Sequence, residues 1–162
     1  MLILEDTRQQ AGKHRNITKY FDKAGIPWAR QALYVGDYTI ASDGSRAVDT
    51  KQDVIELAGN ILSADHERFQ AECKRASEAG IALLVLIEER LPEGGLAAWR
   101  SPTDAGGRPL TRANPETLRR AMLTMRAKYG VRFRFCDARS TGRLLVEYLA
   151  EGIIPRGRRE EP

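Results

Sequence analysis

The residues best suited to chemistry sit in two short segments, Val35-Gly36-Asp37-Tyr38 and Val48-Asp49-Thr50-Lys51. In a strand, alternate side chains share a face, so Asp49 and Lys51 point one way and Thr50 the other. A three-residue loop over Ser42-Asp43-Gly44, with Gly44 left-handed, would set Asp37 opposite Asp49. A two-residue Asp43-Gly44 turn would set it opposite Thr50, so a shared site requires the longer loop or a bulge. Two carboxylates facing each other need a cation to neutralise them. Mg²⁺ takes oxygen ligands, keeps several waters and bridges to phosphate, and Mn²⁺ is expected to substitute. Asp6, at the end of the first apolar run, adds a third carboxylate if that strand neighbours the hairpin. The expected metal set is therefore Asp6, Asp37 and Asp49, and the expected catalytic set Asp37, Asp49 and Lys51. The chemistry expected of such a site is metal-assisted phosphodiester hydrolysis, with Lys51 orienting the attacking water or stabilising developing charge. A lone D-x-K tripeptide on a charged surface strand has the same letters, so the combination carries the argument.

The elements that must position these residues follow from periodicity. Leu2 to Glu5 reads as a strand, and Ile17, Tyr20, Phe21 and Ala24 recur at helical spacing until Gly25. Ala29 to Val35 resumes strand character, and a hairpin follows from Tyr38 to Ala41 and Arg46 to Thr50 across the Ser42-Asp43-Gly44 turn. Helices are predicted over 53–62 and from the cap Asp65 through Phe69, Cys73 and Ala76 to Gly80. Ile81 to Ile87 is continuously apolar, as expected for the centre of a sheet covered on both faces. Residues 92–113, rich in Pro and Gly, read as a loop-rich insertion in a single domain spanning 1–152. Asn114-Pro115 opens a helix whose Leu118, Met122, Met125 and Tyr129 form a core stripe ending at Gly130. Val131, Phe133 and Phe135 then alternate with Arg132 and Arg134. Ser140 is the expected cap of a last helix stopped at Gly152, and 153–162 reads as a charged, frayed tail. This order predicts an α/β sandwich around a mixed sheet.

Composition narrows the class. The chain of 162 residues is 42% hydrophobic and 30% charged, enough to build a core and too short for separate cofactor and substrate domains. The longest apolar run falls far short of a membrane span of roughly 20 residues, and the N-terminal segment lacks signal-peptide character, so an intracellular protein, cytoplasmic or nucleoid-associated, is expected. Cys73 and Cys136 have no C-x-x-C partners and read as buried thiols, and His14 and His66 are too few for a histidine-rich metal centre. The net charge is +4. Trp99 to Arg143 holds eleven basic residues against Asp104, Glu116 and Asp137, leaving the first two thirds acidic. Arg119, Arg120, Arg126, Arg132 and Arg134 are candidates for contacts to a nucleic-acid backbone. Trp99 either stacks on an unpaired base or caps the core.

Taken together, these motifs resemble the XPF/Hef family of structure-specific DNA endonucleases, whose pattern is written G-D-x(n)-E-R-K-x(3)-D. Gly36-Asp37 stands for the G-D and Asp49-Thr50-Lys51 for the E-R-K, while Asp6-Thr7-Arg8-Gln9 follows the family's D-x-R-E in all but its last letter. Asp65-His66-Glu67-Arg68-Phe69 and the strand ending Leu86-Ile87-Glu88 are also similar. The resemblance implies a restriction-endonuclease-like core, Mg²⁺, a DNA partner at branched or flapped structures, and a site role for Arg8. It is also compatible with a homodimer and with an unidentified protein partner. The departures are Asp49 for Glu, Thr50 for Arg, Gln9 for Glu, and Ile55 where the final acid would fall, with Asp53 and Glu56 as nearest substitutes. Arg68 is either an accessory site residue or an ion-pair partner of Glu72. Two other readings remain open at this level: a catalytically silent DNA-binding or scaffolding module of the same fold, and a junction-resolvase-like or sequence-specific nuclease.

Overall fold

The computed structural model describes residues 1–10, 12–63 and 66–151. Asp65, Gly152 and the tail of 153–162 lie outside the described residues. One sheet is built from β1 (Ile3–Asp6), β2 (Trp28–Gln31), β3 (Tyr38–Ile40), β4 (Asp43–Lys51), β5 (Ala82–Ile87) and β6 (Arg132–Phe135). Their order in space is β2-β1-β3-β4-β5-β6. β1 runs parallel to β2 and antiparallel to β3, β3 and β4 form the hairpin, and β4, β5 and β6 run parallel. The sheet is therefore mixed, as the sequence predicts.

Helices α1 (Arg15–Lys23), α2 (Val54–Leu62), α3 (His66–Glu78), α4 (Pro115–Tyr129) and α5 (Thr141–Ala150) cover it on both sides. Leu57, Phe69 and Leu118 bring α2, α3 and α4 onto Val85 and Ile87. Ile17, Phe21 and Leu145 bring α1 and α5 onto Ile3, Tyr38 and Leu86 on the opposite face. Two covered faces explain why β5 reads as an unbroken apolar run. The α1–α5 contact is close because α5 carries Gly142, where an added Cβ would stand 2.6 Å from Tyr20 Cβ. Two helices open on side-chain caps, of which Asn114 is the one expected from sequence. Asp53 accepts the N–H of Glu56 at the start of α2, and Asn114 accepts those of Glu116 and Thr117 at the start of α4. Gly130 ends α4 at a φ of +71°, the left-handed terminus that Gly alone adopts without penalty.

Several expectations are corrected. β5 is fifth of the six strands rather than the centre of the sheet, because β1, β2 and β3 all stack on the far side of β4. The strand expected over 29–35 stops at Gln31, since the Leu33 N–H turns onto the Asp6 carboxylate at 3.4 Å instead of continuing a ladder. Ser140 makes no capping bond, and Asp137 instead accepts the N–H of Arg139 to open a short 3₁₀ turn ahead of α5. Trp99 is buried in the core with its indole N–H donated to Glu89 at 2.6 Å, which removes it as a base-stacking residue. Cys73 and Cys136 are buried free thiols. No helix among the described residues is long and apolar enough to cross a membrane.

Candidate active site

The site is laid out by register. Tyr38 faces Val48, so the preceding Asp37 stands level with Asp49. A bulge sets this alignment: Thr39 faces Ala47, while Ile40 faces Asp43. The tip is thus Ala41-Ser42, Asp43 already belongs to β4, and Gly44 is not left-handed. Of the two routes to a shared site, the chain takes the bulge rather than the three-residue loop. On the other side Glu5 faces Tyr38, which brings Asp6 level with Asp37, and the Asp6 N–H donates to the Asp37 carbonyl at 2.7 Å. Gly36 turns the chain into this row with a φ of +72°, and an added Cβ would lie 2.9 Å from the Val48 carbonyl oxygen. Its N–H is held at 2.8 Å by Glu72 from α3. The Gly-Asp pair is a single device, a left-handed turn pressed against β4 that delivers the following carboxylate.

Asp6, Asp37, Asp49, Thr50 and Lys51 all line one cavity of about 820 Å³. The Lys51 ammonium lies 2.7 Å from Asp49 Oδ2 and 5.1 Å from the centre of the Phe69 ring. Asp49 Oδ2 is buried, and the Lys51 ammonium is its partner. Burial pushes the Asp49 carboxyl up, with the Lys51 charge pulling against it. Burial also opposes the charge on Lys51, but Asp49 beside it outweighs that and holds the ammonium above its ordinary range. Asp37 is pushed up to about 6, by burial first and then by the Asp49 charge. The Thr50 N–H and hydroxyl both donate to Asp37 Oδ2, at 2.8 and 2.6 Å, and partly offset that rise.

Asp6 is held differently. Its carboxylate accepts the Arg8 side chain at 2.8 Å and the Arg8 backbone N–H at 3.1 Å. Burial works against its charge, yet these bonds hold it below the usual carboxylate range. The expected three-carboxylate set therefore shares a cavity without closing into one cluster. Among the described residues, no group of three or more His, Cys, Asp or Glu side chains is placed to hold a metal ion. Of the three carboxylates, Asp6 is paired with Arg8 and Asp49 with Lys51, while Asp37 is held by the neutral Thr50.

The accessory candidates separate cleanly. Asp53 is the cap of α2, whereas Glu56 faces the cavity and binds Lys13 at 2.6 Å. Burial disfavours the Glu56 charge, but the Gln52 N–H and Lys13 together hold its carboxyl low. Arg8 and Arg68 both line the cavity. Gln9, which the sequence places at a family site position, lines it too, and sequence reading missed Lys13, Glu72 and Arg75 as cavity residues. Arg68, Glu72 and Arg75 recur at i, i+4 and i+7 on α3, a helical polar stripe that would have flagged them. Gln9 and Lys13 lie in an irregular loop where no period operates. That loop is fastened from below by Arg30, whose guanidinium donates to the carbonyls of Asp6, Thr7 and Gln9 at 3.3, 3.2 and 2.6 Å and pairs with Glu5 at 3.2 Å. Arg119, Arg120, Arg126, Arg132 and Arg134 are all exposed, and none lines the cavity. Arg119 and Arg120 pair with Glu116 at 2.8 and 3.0 Å. Arg132 lies over the Tyr148 ring at 5.3 Å, on the sheet face opposite α4.

Comparison with known proteins agrees with this architecture. No curated protein matches the sequence. Among solved structures, XPF from Aeropyrum pernix superposes with a TM-score of 0.67 at 16% identity, covering 94% of this chain and 65% of that one. A second structure, XPF from Aeropyrum pernix in complex with DNA, gives a TM-score of 0.64 at 19% identity, covering 94% of this chain and 64% of that one. The shared fold is the restriction-endonuclease-like core, and the chain spans just under two thirds of the length of either protein. The model of the ERCC4 domain matches residues 6–148, which includes every residue of the candidate site. With nearly its whole length matched, the chain belongs to the ERCC4 domain family.

Proposed function

We propose that the chain is a divalent-cation-dependent DNA endonuclease that hydrolyses phosphodiester bonds at branched or flapped DNA. The observation that carries this reading is the Lys51–Asp49 contact of 2.7 Å, with Asp37 level across the strand pair, inside one cavity. Membership of the ERCC4 domain family and likeness to an XPF structure in complex with DNA support it. Asp37 and Asp49 suit Mg²⁺, which binds through one or two carboxylates and completes its shell with water and phosphate oxygens. Asp37 and Asp49 together bring two negative charges against the one Lys51 ammonium, so a further cation is favoured there. When bound, such an ion supplies Lewis-acid stabilisation of charge on the phosphoryl group.

The protein's own groups do the rest. Thr50 fixes the Asp37 carboxylate through two donors, so its geometry is set before substrate arrives. Lys51, kept charged by Asp49, can donate to a phosphoryl oxygen or to the attacking water where negative charge builds up. Arg68 and Arg75 border the same cavity and offer guanidinium forks to flanking phosphates, while the Arg8 fork is held by Asp6. A DNA-binding module without turnover is favoured by one observation, the diversion of Asp6 onto Arg8.

The test is cleavage of end-labelled flap, fork, four-way junction, single-stranded and plain duplex DNA in Mg²⁺, Mn²⁺ and EDTA, with Asp49→Ala alongside. Cutting of the branched substrates that needs the cation and vanishes in the variant is the expected result. Tight binding with no cutting, unchanged by Asp49→Ala, would replace the enzyme with the binding module.

A further inference from the structure

Gln9 and Thr50, two of the positions that depart from the family pattern, touch each other: Gln9 Nε2 lies 3.0 Å from Thr50 Oγ1. They are distant in sequence, one in the loop after β1 and the other near the end of β4. Proton bookkeeping fixes the direction of the contact. The Thr50 hydroxyl has one proton and gives it to Asp37 Oδ2 at 2.6 Å, so its oxygen can only accept from Gln9. The amide must therefore present its NH₂ end to Thr50, although this leaves Gln9 Oε1 buried without a donor. The reverse orientation would set an amide oxygen against an oxygen whose proton is already committed. Gln9 itself is held in place, with its N–H on the Asp6 carbonyl at 3.2 Å and its carbonyl on Arg30 at 2.6 Å.

We propose that Gln9 is a positioning residue: its amide locks the rotor of Thr50 so that the hydroxyl points at Asp37, and the neutral pair thereby sets the carboxylate in its metal-binding geometry. The inference rests on Asp37 as a cation ligand for its consequence but not for its geometry. Gln9 and Thr50 form a unit, so the residue tolerated at one depends on the residue at the other. A carboxylate at position 9 could only accept. It would draw the Thr50 proton away from Asp37 and break the chain of bonds at its last link.

The test is a double-mutant cycle of Gln9→Met, Thr50→Val and their combination, with Gln9→Glu and Thr50→Ser as chemical controls. Two readouts are taken without DNA. One is the backbone amide resonance of Thr50, whose N–H also donates to Asp37 Oδ2, in metal-free protein. The other is Mn²⁺ affinity by titration calorimetry, where partners that orient a ligand typically contribute about tenfold or more. Gln9→Met and Gln9→Glu should shift the Thr50 amide resonance, and Gln9→Met should weaken Mn²⁺ binding about tenfold, with Thr50→Ser near wild type. In the Thr50→Val background, Gln9→Met should add nothing to either readout. Independent, additive effects, or an unchanged Thr50 resonance in Gln9→Met, would overturn the proposal. If the resonances couple as expected but the wild-type chain binds no Mn²⁺, the positioning unit stands and the nuclease reading falls.

Discussion

At the residue scale, the central feature is a pair of carboxylates placed where charge is unwelcome. Asp37 titrates near 6 rather than 3.8 because burial and Asp49 both disfavour its ionised form. A raised carboxyl favours folding while protonated, so that contribution is complete below the unfolded value and is lost as pH rises through about 6. Asp37→Asn, which never ionises and keeps an acceptor for Thr50, should therefore stabilise the metal-free protein at about pH 8 by about 1–3 kcal/mol. The gain should fade below about pH 4, which paired urea titrations at both pH values will show. The same variant should lose most of the rise in melting temperature that Mg²⁺ gives the wild type. Lys51→Ala should lower single-turnover cleavage about 100-fold or more while changing DNA affinity little, because its proposed work is done in the transition state. Parallel loss of binding and cleavage would make Lys51 a substrate anchor instead.

At the element scale, the Gly36 turn and the β3–β4 bulge decide whether the carboxylates meet. Gly36→Ala combines a positive φ with a Cβ 2.9 Å from a backbone oxygen, so a loss of several kcal/mol in denaturant unfolding is expected. Removing one surface cap is a milder change, and Asn114→Ala should cost about 1 kcal/mol. The two measurements together separate strain at the site from ordinary helix stability. Legibility in the sequence follows the same division. Helices with caps and clear stripes, such as Pro115–Tyr129, were readable to the residue because capping and periodicity are local. The D-x-K row and the need for a bulge were readable from strand alternation, whereas the position of the bulge was not, since it depends on which oxygens β4 offers to β3. Residues 32–35 looked like strand by composition but leave the sheet, with the Leu33 N–H on the Asp6 carboxylate, a contact between distant segments. Glu72 and Lys13 were missed for the same reason: each takes its role from a partner distant in sequence.

At the scale of the whole molecule, charge is distributed differently from the basic third that the sequence displays. The cavity has its own ring of Arg8, Lys13, Arg68 and Arg75, while the five arginines of the C-terminal third divide between α4 and β6 on opposite faces of the sheet. DNA affinity should fall steeply with salt, with about four to six phosphates neutralised. Replacing Arg68 and Arg75 together with Ala should flatten that slope by about two, as fluorescence anisotropy across a salt series will report. An equal flattening from Arg132→Ala with Arg134→Ala would move the binding face to β6. Among the described residues, every one lining the main cavity falls between Asp6 and Arg75, and the later half contributes no side chain to it. That half supplies buttresses, among them Leu118, Met125 and Leu145. The molecule thereby divides its labour along the chain. Substitutions at these buttresses, Leu118→Ala or Leu145→Ala for example, should erode the fraction folded yet leave turnover per folded molecule untouched.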